Sequence, residues 1–178
     1  YYSRSDGLAE SRYVFLQGNR VSERWQKKSI FRINETGFGT GLNFLATWQL
    51  WRETRAQDSW LYFESIEGFP LDREQLKLIH QEWGELKALS KMLLAAKNSC
   101  NELLPDWQEW PEERITLRLH HAEVLPVLRV MQSNQVDAWF LDGFSPKKNP
   151  EMWTRDVLRE VARITCPEGT CATYTAAS

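Results

Sequence analysis

Three glycines at alternate positions, Gly37, Gly39 and Gly41, separate a β-rich segment from a helical one. Residues 29–35 before them are typical of a buried strand, and residues 42–51 after them have apolar side chains at helical spacing. Alternating glycines let the chain turn sharply and let a ligand approach the backbone. This order favours an α/β fold with a ligand at the carboxyl end of the strand, although a tight turn without a ligand is the alternative.

The rest of the chain repeats the alternation of strands and helices. Further strands are predicted over residues 61–67, 115–119, 136–142 and 170–174, and further helices over residues 71–80, 85–97, 123–131 and 150–164. At the start of the chain, short β-rich runs on both sides of Gln17-Gly18-Asn19 predict a hairpin. Strands that alternate with helices predict a mainly parallel sheet with helices on both faces.

Length and composition are typical of one globular α/β domain. The 178 residues are therefore predicted to form a single domain, with an N-terminal hairpin extension over residues 1–28 and a core over residues 29–178. The net charge of −2 gives no independent indication of a nucleic-acid partner. No apolar run is long enough for a transmembrane helix, and no signal peptide is present, so we expect a cytoplasmic protein without membrane contact.

The cysteines agree with a reducing compartment. Cys100, Cys166 and Cys171 are odd in number and form no disulfide framework. Cys166 and Cys171 lie in an apolar stretch, which predicts reduced thiols in the core.

The spacing of the glycines restricts the kind of cofactor. Leu42 stands where a dinucleotide-binding fingerprint requires its last glycine, so a pyrophosphate cofactor is disfavoured. No Gly-Lys-Ser/Thr follows, which excludes a Walker-type phosphate loop. Glu35, just before the glycines, would repel phosphate but could bind an ammonium or hydroxyl group. A phosphate-free cofactor such as S-adenosylmethionine therefore fits best.

Two carboxylates end neighbouring predicted strands. Glu67 ends the strand that follows the glycine loop, where it can accept hydrogen bonds from both hydroxyls of a ribose. Asp142 ends the strand over residues 136–142, where it can orient an amine, help remove its proton and stabilise the positive charge that develops on nitrogen. The alternatives are a solvated acid for Glu67 and a helix-capping turn for Asp142.

The segment after Asp142 contains candidate substrate-binding residues. Phe144 and Pro146 could wall a planar substrate, and Lys147 and Lys148 could contact phosphates. A solvated, charged loop is the alternative for the two lysines.

Three stretches carry a resemblance to a known family: residues 7–16, 35–45 and 136–153. With these motifs the chain resembles the class I S-adenosylmethionine-dependent methyltransferases. More narrowly, it is similar to the methyltransferase modules of bacterial tRNA 5-methylaminomethyl-2-thiouridine biosynthesis proteins. The resemblance covers nearly the whole chain and implies a Rossmann-like fold.

The resemblance also implies an activity and a set of site residues. A methyl group would pass from S-adenosylmethionine to the aminomethyl nitrogen of 5-aminomethyl-2-thiouridine at the tRNA wobble position, with Asp142 at the acceptor amine. The residues implied in cofactor binding are Glu35, Gly37, Phe38, Gly39, Gly41, Asn43 and Glu67. A flavin-dependent oxidase, fused or separate, would act with such a module, and these 178 residues contain no flavin fingerprint.

The sequence departs from the family pattern at two places. Residues 119–123, which include His120 and His121, replace the Gly-Asp that follows the third strand in relatives. Adjacent histidines point to opposite faces of a strand, so a metal site is disfavoured and none is predicted. The chain also ends after the fifth core strand, so the last strands of the family fold are expected to be missing. The alternative functions are a methyltransferase with another amine acceptor and a non-catalytic fragment that binds cofactor or tRNA.

Overall fold

A computed structural model of the chain describes residues 4–96, 107–143 and 150–174. Its sheet contains six strands: β1 (Ile30–Thr36), β2 (Trp60–Ile66), β3 (Gln108–Trp110), β4 (Ile115–His120), β5 (Val136–Leu141) and β6 (Thr165–Thr173). Their spatial order is β3-β4-β2-β1-β5-β6. All neighbours pair in parallel except β3, which is antiparallel to β4. The predicted, mainly parallel sheet is confirmed.

Helices connect these strands and precede the first of them. They are α1 (Arg4–Ser11), α2 (Val21–Trp25), α3 (Leu42–Thr54), α4 (Arg73–His80), α5 (Lys87–Ala95), α6 (Val124–Val130) and α7 (Arg155–Ile164). A π-helical turn over Arg12–Gln17 joins α1 to α2, and short 3-10 turns cover Pro111–Glu113 and Pro150–Trp153. None of the helices in the described part of the chain is long and apolar enough to cross a membrane.

Apolar side chains cover the sheet on both faces. On one face, Phe31, Ile33 and Phe63 pack with Phe44 and Trp48 of α3. A second cluster joins Trp139 of β5 to residues of α6 and α7, among them Val127, Val157 and Val161. Helices on both faces leave the carboxyl edge of the parallel strands as the place where loops can form a site.

The predicted N-terminal hairpin is wrong, because residues 4–17 and 21–25 are helical and a turn joins them. Phe15 of the π-helical turn stacks on Phe140 of β5 with 5.2 Å between the ring centroids. Val21 and Trp25, four residues apart on α2, are fully buried. Asn19 ends the turn by donating from Nδ2 to the carbonyl oxygen of Trp139 at 3.2 Å. The apolar residues of this segment therefore follow helical spacing, and the turn residues anchor a helical layer to the sheet.

Two other segments differ from the prediction. β3 and the 3-10 turn over Pro111–Glu113 lie where neither a strand nor a helix was predicted. β6 begins directly after α7 and bulges between its pairings at Thr165 and Thr170, because Pro167 cannot donate to the ladder and Glu168 has φ of 66°.

Cys166 and Cys171 are free thiols as predicted, but Cys166 is only half-buried and Cys171 is exposed, so neither belongs to the core. Cys100 lies outside the described residues.

Candidate active site

A cleft of about 390 Å³ lies at the carboxyl ends of β1, β2 and β5. The residues that line it and were predicted from the sequence are Gly37, Phe38, Gly39, Asn43, Glu67 and Asp142. Sequence reasoning missed the contribution of the N-terminal helical layer, from which Gly7, Glu10, Ser11 and Phe15 also line the cleft. The predicted residues Phe144, Pro146, Lys147 and Lys148 lie outside the described residues.

The glycine loop forms the floor of this cleft. Gly37 has φ of 86°, and a Cβ atom there would lie 3.0 Å from the Cα of Gly143, so only glycine lets this loop meet the loop after β5. Gly39 has φ of 52°, and a Cβ atom there would meet nothing within 4 Å. The loop is therefore closed against the protein at Gly37 and open to the cleft at Gly39. The predicted Gly41 is the residue before α3.

Glu67 connects the loops that follow β1 and β2. Its Oε2 accepts a hydrogen bond from the backbone N–H of Gly39 at 2.8 Å, and its Oε1 accepts one from the N–H of Phe69 at 2.8 Å. The carboxylate lines the cleft, where its free acceptor positions can meet ligand hydroxyls.

One amide nitrogen bridges the two carboxyl groups at the ends of β1 and β5. Nδ2 of Asn43 donates to Oε1 of Glu35 at 2.9 Å and to Oδ2 of Asp142 at 2.8 Å. The other oxygen of Glu35 lies 2.7 Å from the hydroxyl of Ser65, and Oδ1 of Asp142 accepts from the N–H of Gly143 at 2.7 Å. The two acids are thus held in fixed positions by neutral donors.

Burial changes the acidity of both groups. The Glu35 side chain is completely buried, and this burial raises the pKa of its carboxyl to about 8, with a further rise from the nearby Asp142 and Glu67. Burial also raises the pKa of Asp142, while its hydrogen bonds from Gly143 and Asn43 lower it. Glu35 is therefore neutral at pH 7 and lies beneath the cleft, whereas Asp142 faces the cleft as a stronger proton acceptor than an ordinary aspartate.

His120 is the last residue of β4, and His121 follows it. The Nε2 atom of His120 lies 2.7 Å from Oε1 of Glu64, and its side chain is fully buried. Within residues 4–96, 107–143 and 150–174, no group of three or more His, Cys, Asp or Glu side chains could hold a metal ion.

Comparison with known proteins relates this geometry to a family. The family model described as S-adenosyl-L-methionine-dependent methyltransferase matches residues 81–178, more than half of the chain. The chain belongs to this family. Its fold is the Rossmann-like fold of class I methyltransferases. The crystal structure of MNMC2 from Aquifex aeolicus matches 95% of this chain and 50% of that chain, with a TM-score of 0.75 and 24% identity.

Curated relatives of this chain are considerably longer. The tRNA 5-methylaminomethyl-2-thiouridine biosynthesis bifunctional protein MnmC of Methylobacillus flagellatus is 43% identical over 181 residues, which cover 99% of this chain and 27% of the relative. The protein of the same name from Aliivibrio fischeri is 41% identical over 191 residues, with the same coverage. The chain therefore spans about a quarter of the length of these relatives.

The cleft fits the cofactor that the family's description names, S-adenosylmethionine. That cofactor carries positive charge on its sulfonium and ammonium groups. Three carboxyl side chains line the cleft, those of Glu10, Glu67 and Asp142, and none of its described lining residues is lysine or arginine. The open space over Gly39 leaves room for a ligand against the backbone. The carboxyl groups of the cleft thus suit a ligand that is cationic and contains no phosphate.

Proposed function

We propose that this chain is an S-adenosylmethionine-dependent N-methyltransferase acting on the aminomethyl group of 5-aminomethyl-2-thiouridine at the tRNA wobble position. The product is 5-methylaminomethyl-2-thiouridine. The observation that carries the proposal is the carboxyl-lined cleft in which Asp142 is held by Asn43 and Gly143. The names of the curated relatives, which refer to the biosynthesis of this nucleoside, support the choice of substrate.

The proposed roles of the cofactor-binding residues follow from their positions. Glu67 accepts hydrogen bonds from the ribose hydroxyls at the end of β2. The loop residues Gly37, Phe38, Gly39 and Gly41 surround the methionine part of the cofactor. Glu35 and Asn43 support the site from below, since the Glu35 side chain is buried and the amide nitrogen of Asn43 is bonded to two carboxyl groups.

Asp142 is the proposed catalytic residue. When bound, the cofactor supplies an electrophilic methyl group. The carboxylate of Asp142 accepts a hydrogen bond from the acceptor amine, holds it in line and takes up the proton that the nitrogen loses. It also stabilises the positive charge that develops on that nitrogen. Its raised pKa brings its proton affinity closer to neutral pH, which favours this transfer.

The binding partners of this activity are part of the same proposal. The substrate is tRNA, with Phe144 and Pro146 beside the base and Lys147 and Lys148 at its phosphates. A flavin-dependent oxidase, fused in a longer chain or separate, supplies the free amine. The relatives are named bifunctional, and this chain spans only about a quarter of their length.

The Asp142→Asn variant tests the proposal. Calorimetry with S-adenosylmethionine measures binding, and transfer of labelled methyl to tRNA with the unmethylated aminomethyl nucleoside measures activity. We expect wild type to bind one cofactor and to methylate this tRNA, and Asp142→Asn to retain binding while losing at least about a hundredfold in turnover. Asp156→Asn, on the exposed side of α7, is the matched control and should behave as wild type. Unchanged turnover of Asp142→Asn would rule out the proposed role, and cofactor binding without any turnover by wild type would favour the non-catalytic alternative.

A further inference from the structure

Ser11, the last residue of α1, has no part in the function derived above although it lies in the cleft. Its side chain is 3% exposed, and its hydroxyl donates to Oδ1 of Asn43 at 2.6 Å. We propose that Ser11 is a positioning residue, which fixes the Asn43 amide so that its nitrogen faces Asp142. The inference rests on the proposed function in taking Asp142 as the group at the acceptor amine.

The argument begins with the two sides of the Asn43 amide. Its nitrogen donates to Glu35 and Asp142, so its oxygen must find a donor elsewhere. Asn43 is 7% exposed, and an unpaired oxygen there would be costly. The hydroxyl of Ser11, at the end of α1, is a donor to this oxygen. In Ser11→Ala this oxygen loses that donor, so the amide is held from one side only and its nitrogen is directed at Asp142 less firmly.

A less firmly held amide would change the state of Asp142. The Asn43 N–H bond to Oδ2 of Asp142, which holds the carboxylate in place and lowers its pKa, would become weaker. Among the described residues, the charged groups that act on Asp142 are Glu10 from α1, Glu35 from β1 and Glu67 after β2, and each is acidic. None of these three compensates a negative charge, so a weaker amide donor leaves Asp142 harder to ionise.

Ser11 therefore acts on the reaction through Asn43 and Asp142. A larger part of Asp142 would be protonated at neutral pH in its absence, and a protonated carboxyl cannot accept the proton of the amine. The effect is a shift of the acidic limb of the pH–rate profile to higher pH, with turnover recovering as the pH rises. A purely structural contribution of Ser11 would lower stability without moving this limb.

The experiment compares Ser11→Ala with Ser59→Ala in the full 178-residue chain. Ser59 is a matched control because it is also buried, 1% exposed, and its hydroxyl donates to the carbonyl oxygen of Ala56 at 2.7 Å, at the opposite edge of the sheet from the cleft. We measure kcat against pH on tRNA with the unmethylated aminomethyl nucleoside, the Kd of S-adenosylmethionine and the melting temperature. We expect Ser11→Ala to lower kcat about tenfold at pH 7 and to move the acidic limb upward, while Kd changes less than about threefold. Ser59→Ala should change only the melting temperature.

A second readout keeps the inference independent of turnover. NMR titration of the carboxyl carbons, with the Asp142 signal assigned by its loss in Asp142→Asn, reports the pKa of Asp142 directly. We expect a higher pKa in Ser11→Ala than in wild type or Ser59→Ala. An unchanged pKa of Asp142 in Ser11→Ala would overturn the inference even where wild type is active. Absence of turnover in wild type would instead contradict the proposed function, with the titration still deciding the role of Ser11.

Discussion

Carboxyl groups give the site its chemical character at the scale of single residues. Glu10, Glu67 and Asp142 line the cleft, and the neutral Glu35 lies beneath it. This concentration of acids disfavours the folded state through desolvation and mutual repulsion, and it creates a negative potential that attracts a cationic ligand. Stability and function are therefore opposed at this edge of the sheet, and pH should affect both.

The first prediction concerns the pH dependence of stability. The Glu35 carboxyl has a pKa of about 8 in the folded chain and an ordinary value of 4.5. Between these values the folded chain holds a proton that the unfolded chain releases, so this contribution to stability is complete below the lower value and is lost as the pH rises toward 8. We expect the free energy of unfolding of wild type to fall relative to Glu35→Gln by about 1 kcal/mol per pH unit between about pH 5 and about pH 8, and to level off above that range.

Urea denaturation of both proteins across this range measures that difference. Glu35→Gln keeps the shape of the side chain and removes its titration, so the other ionising groups affect both proteins alike. A difference that stays constant with pH would show that Glu35 does not hold a proton in the folded chain.

The second prediction separates two glycines of the same loop. An alanine at position 37 would place its Cβ against the backbone of Gly143, whereas at position 39 it would project into open space. We expect Gly37→Ala to lose about 3 kcal/mol of unfolding free energy and Gly39→Ala about 1 kcal/mol, since both have positive φ but only Gly37 is also crowded. Calorimetry measures the affinity of both variants for S-adenosylmethionine. Relative to the stability that each variant loses, Gly39→Ala should lose more affinity than Gly37→Ala, because its methyl group projects into the cleft. Equal losses of stability would contradict this account.

Some of the side chains in and beneath the cleft could be placed from the sequence, and others could not. The loop glycines, Glu67 and Asp142 could be placed in one cleft because parallel strands end at one edge. Glu35 was predicted to touch a ligand, but it has the same parity as Phe31 and Ile33 on β1 and so faces the helices of the core. Ser11 and Ser65 could not be found, because their partners are distant in the sequence and no motif links them.

Local patterning made the central elements predictable at the scale of helices and strands. β1, β2 and α3 match the predicted boundaries within about three residues, because strong apolar runs and a glycine turn define them. The N-terminal layer was mispredicted because Gln17-Gly18-Asn19 is also typical of a hairpin turn. β3, which pairs with β4, was not predicted because its three residues are too few to show the alternation of a strand.

The third prediction concerns the helix α4, which supports the glycine loop. Nε2 of His80 donates to the carbonyl oxygen of Thr40 at 2.8 Å, and Nδ1 accepts from the hydroxyl of Ser90 at 2.7 Å. Burial lowers the pKa of His80, so the ring is neutral at pH 7. We expect His80→Leu to cost about 2 kcal/mol of unfolding free energy and to weaken cofactor binding several-fold, because Thr40 lines the cleft.

A change at the other end of the same helix is the control for that prediction. Asp72 forms a capping box with Gln75 at the N-terminus of α4. Asp72→Ala should cost about 1 kcal/mol and leave the Kd of S-adenosylmethionine unchanged. Loss of cofactor affinity in Asp72→Ala equal to that in His80→Leu would mean that general loosening of α4 is responsible, and would refute a specific role for His80.

At the scale of the whole molecule, the N-terminal layer is part of the core. Leu8, Phe15, Leu16, Val21 and Trp25 are all buried in the main apolar cluster. Burying five such side chains contributes roughly 10 kcal/mol, which is comparable to the entire stability of a domain. The helical segments before β1 therefore pack into the same core as the sheet.

The last prediction follows from that packing. We expect the fragment of residues 29–178 to lack a cooperative thermal transition in circular dichroism and to bind a hydrophobic dye, because the Phe140 face of the sheet would be exposed. Within the full chain, Phe15→Ala should cost about 4 kcal/mol of unfolding free energy, while Tyr13→Ala, on a side chain that is 72% exposed, should cost less than about 0.5 kcal/mol. A fragment that melts cooperatively within a few degrees of the full chain would show that the N-terminal layer is dispensable, and the proposed positioning by Ser11 would then have to operate from a segment that the fold does not require.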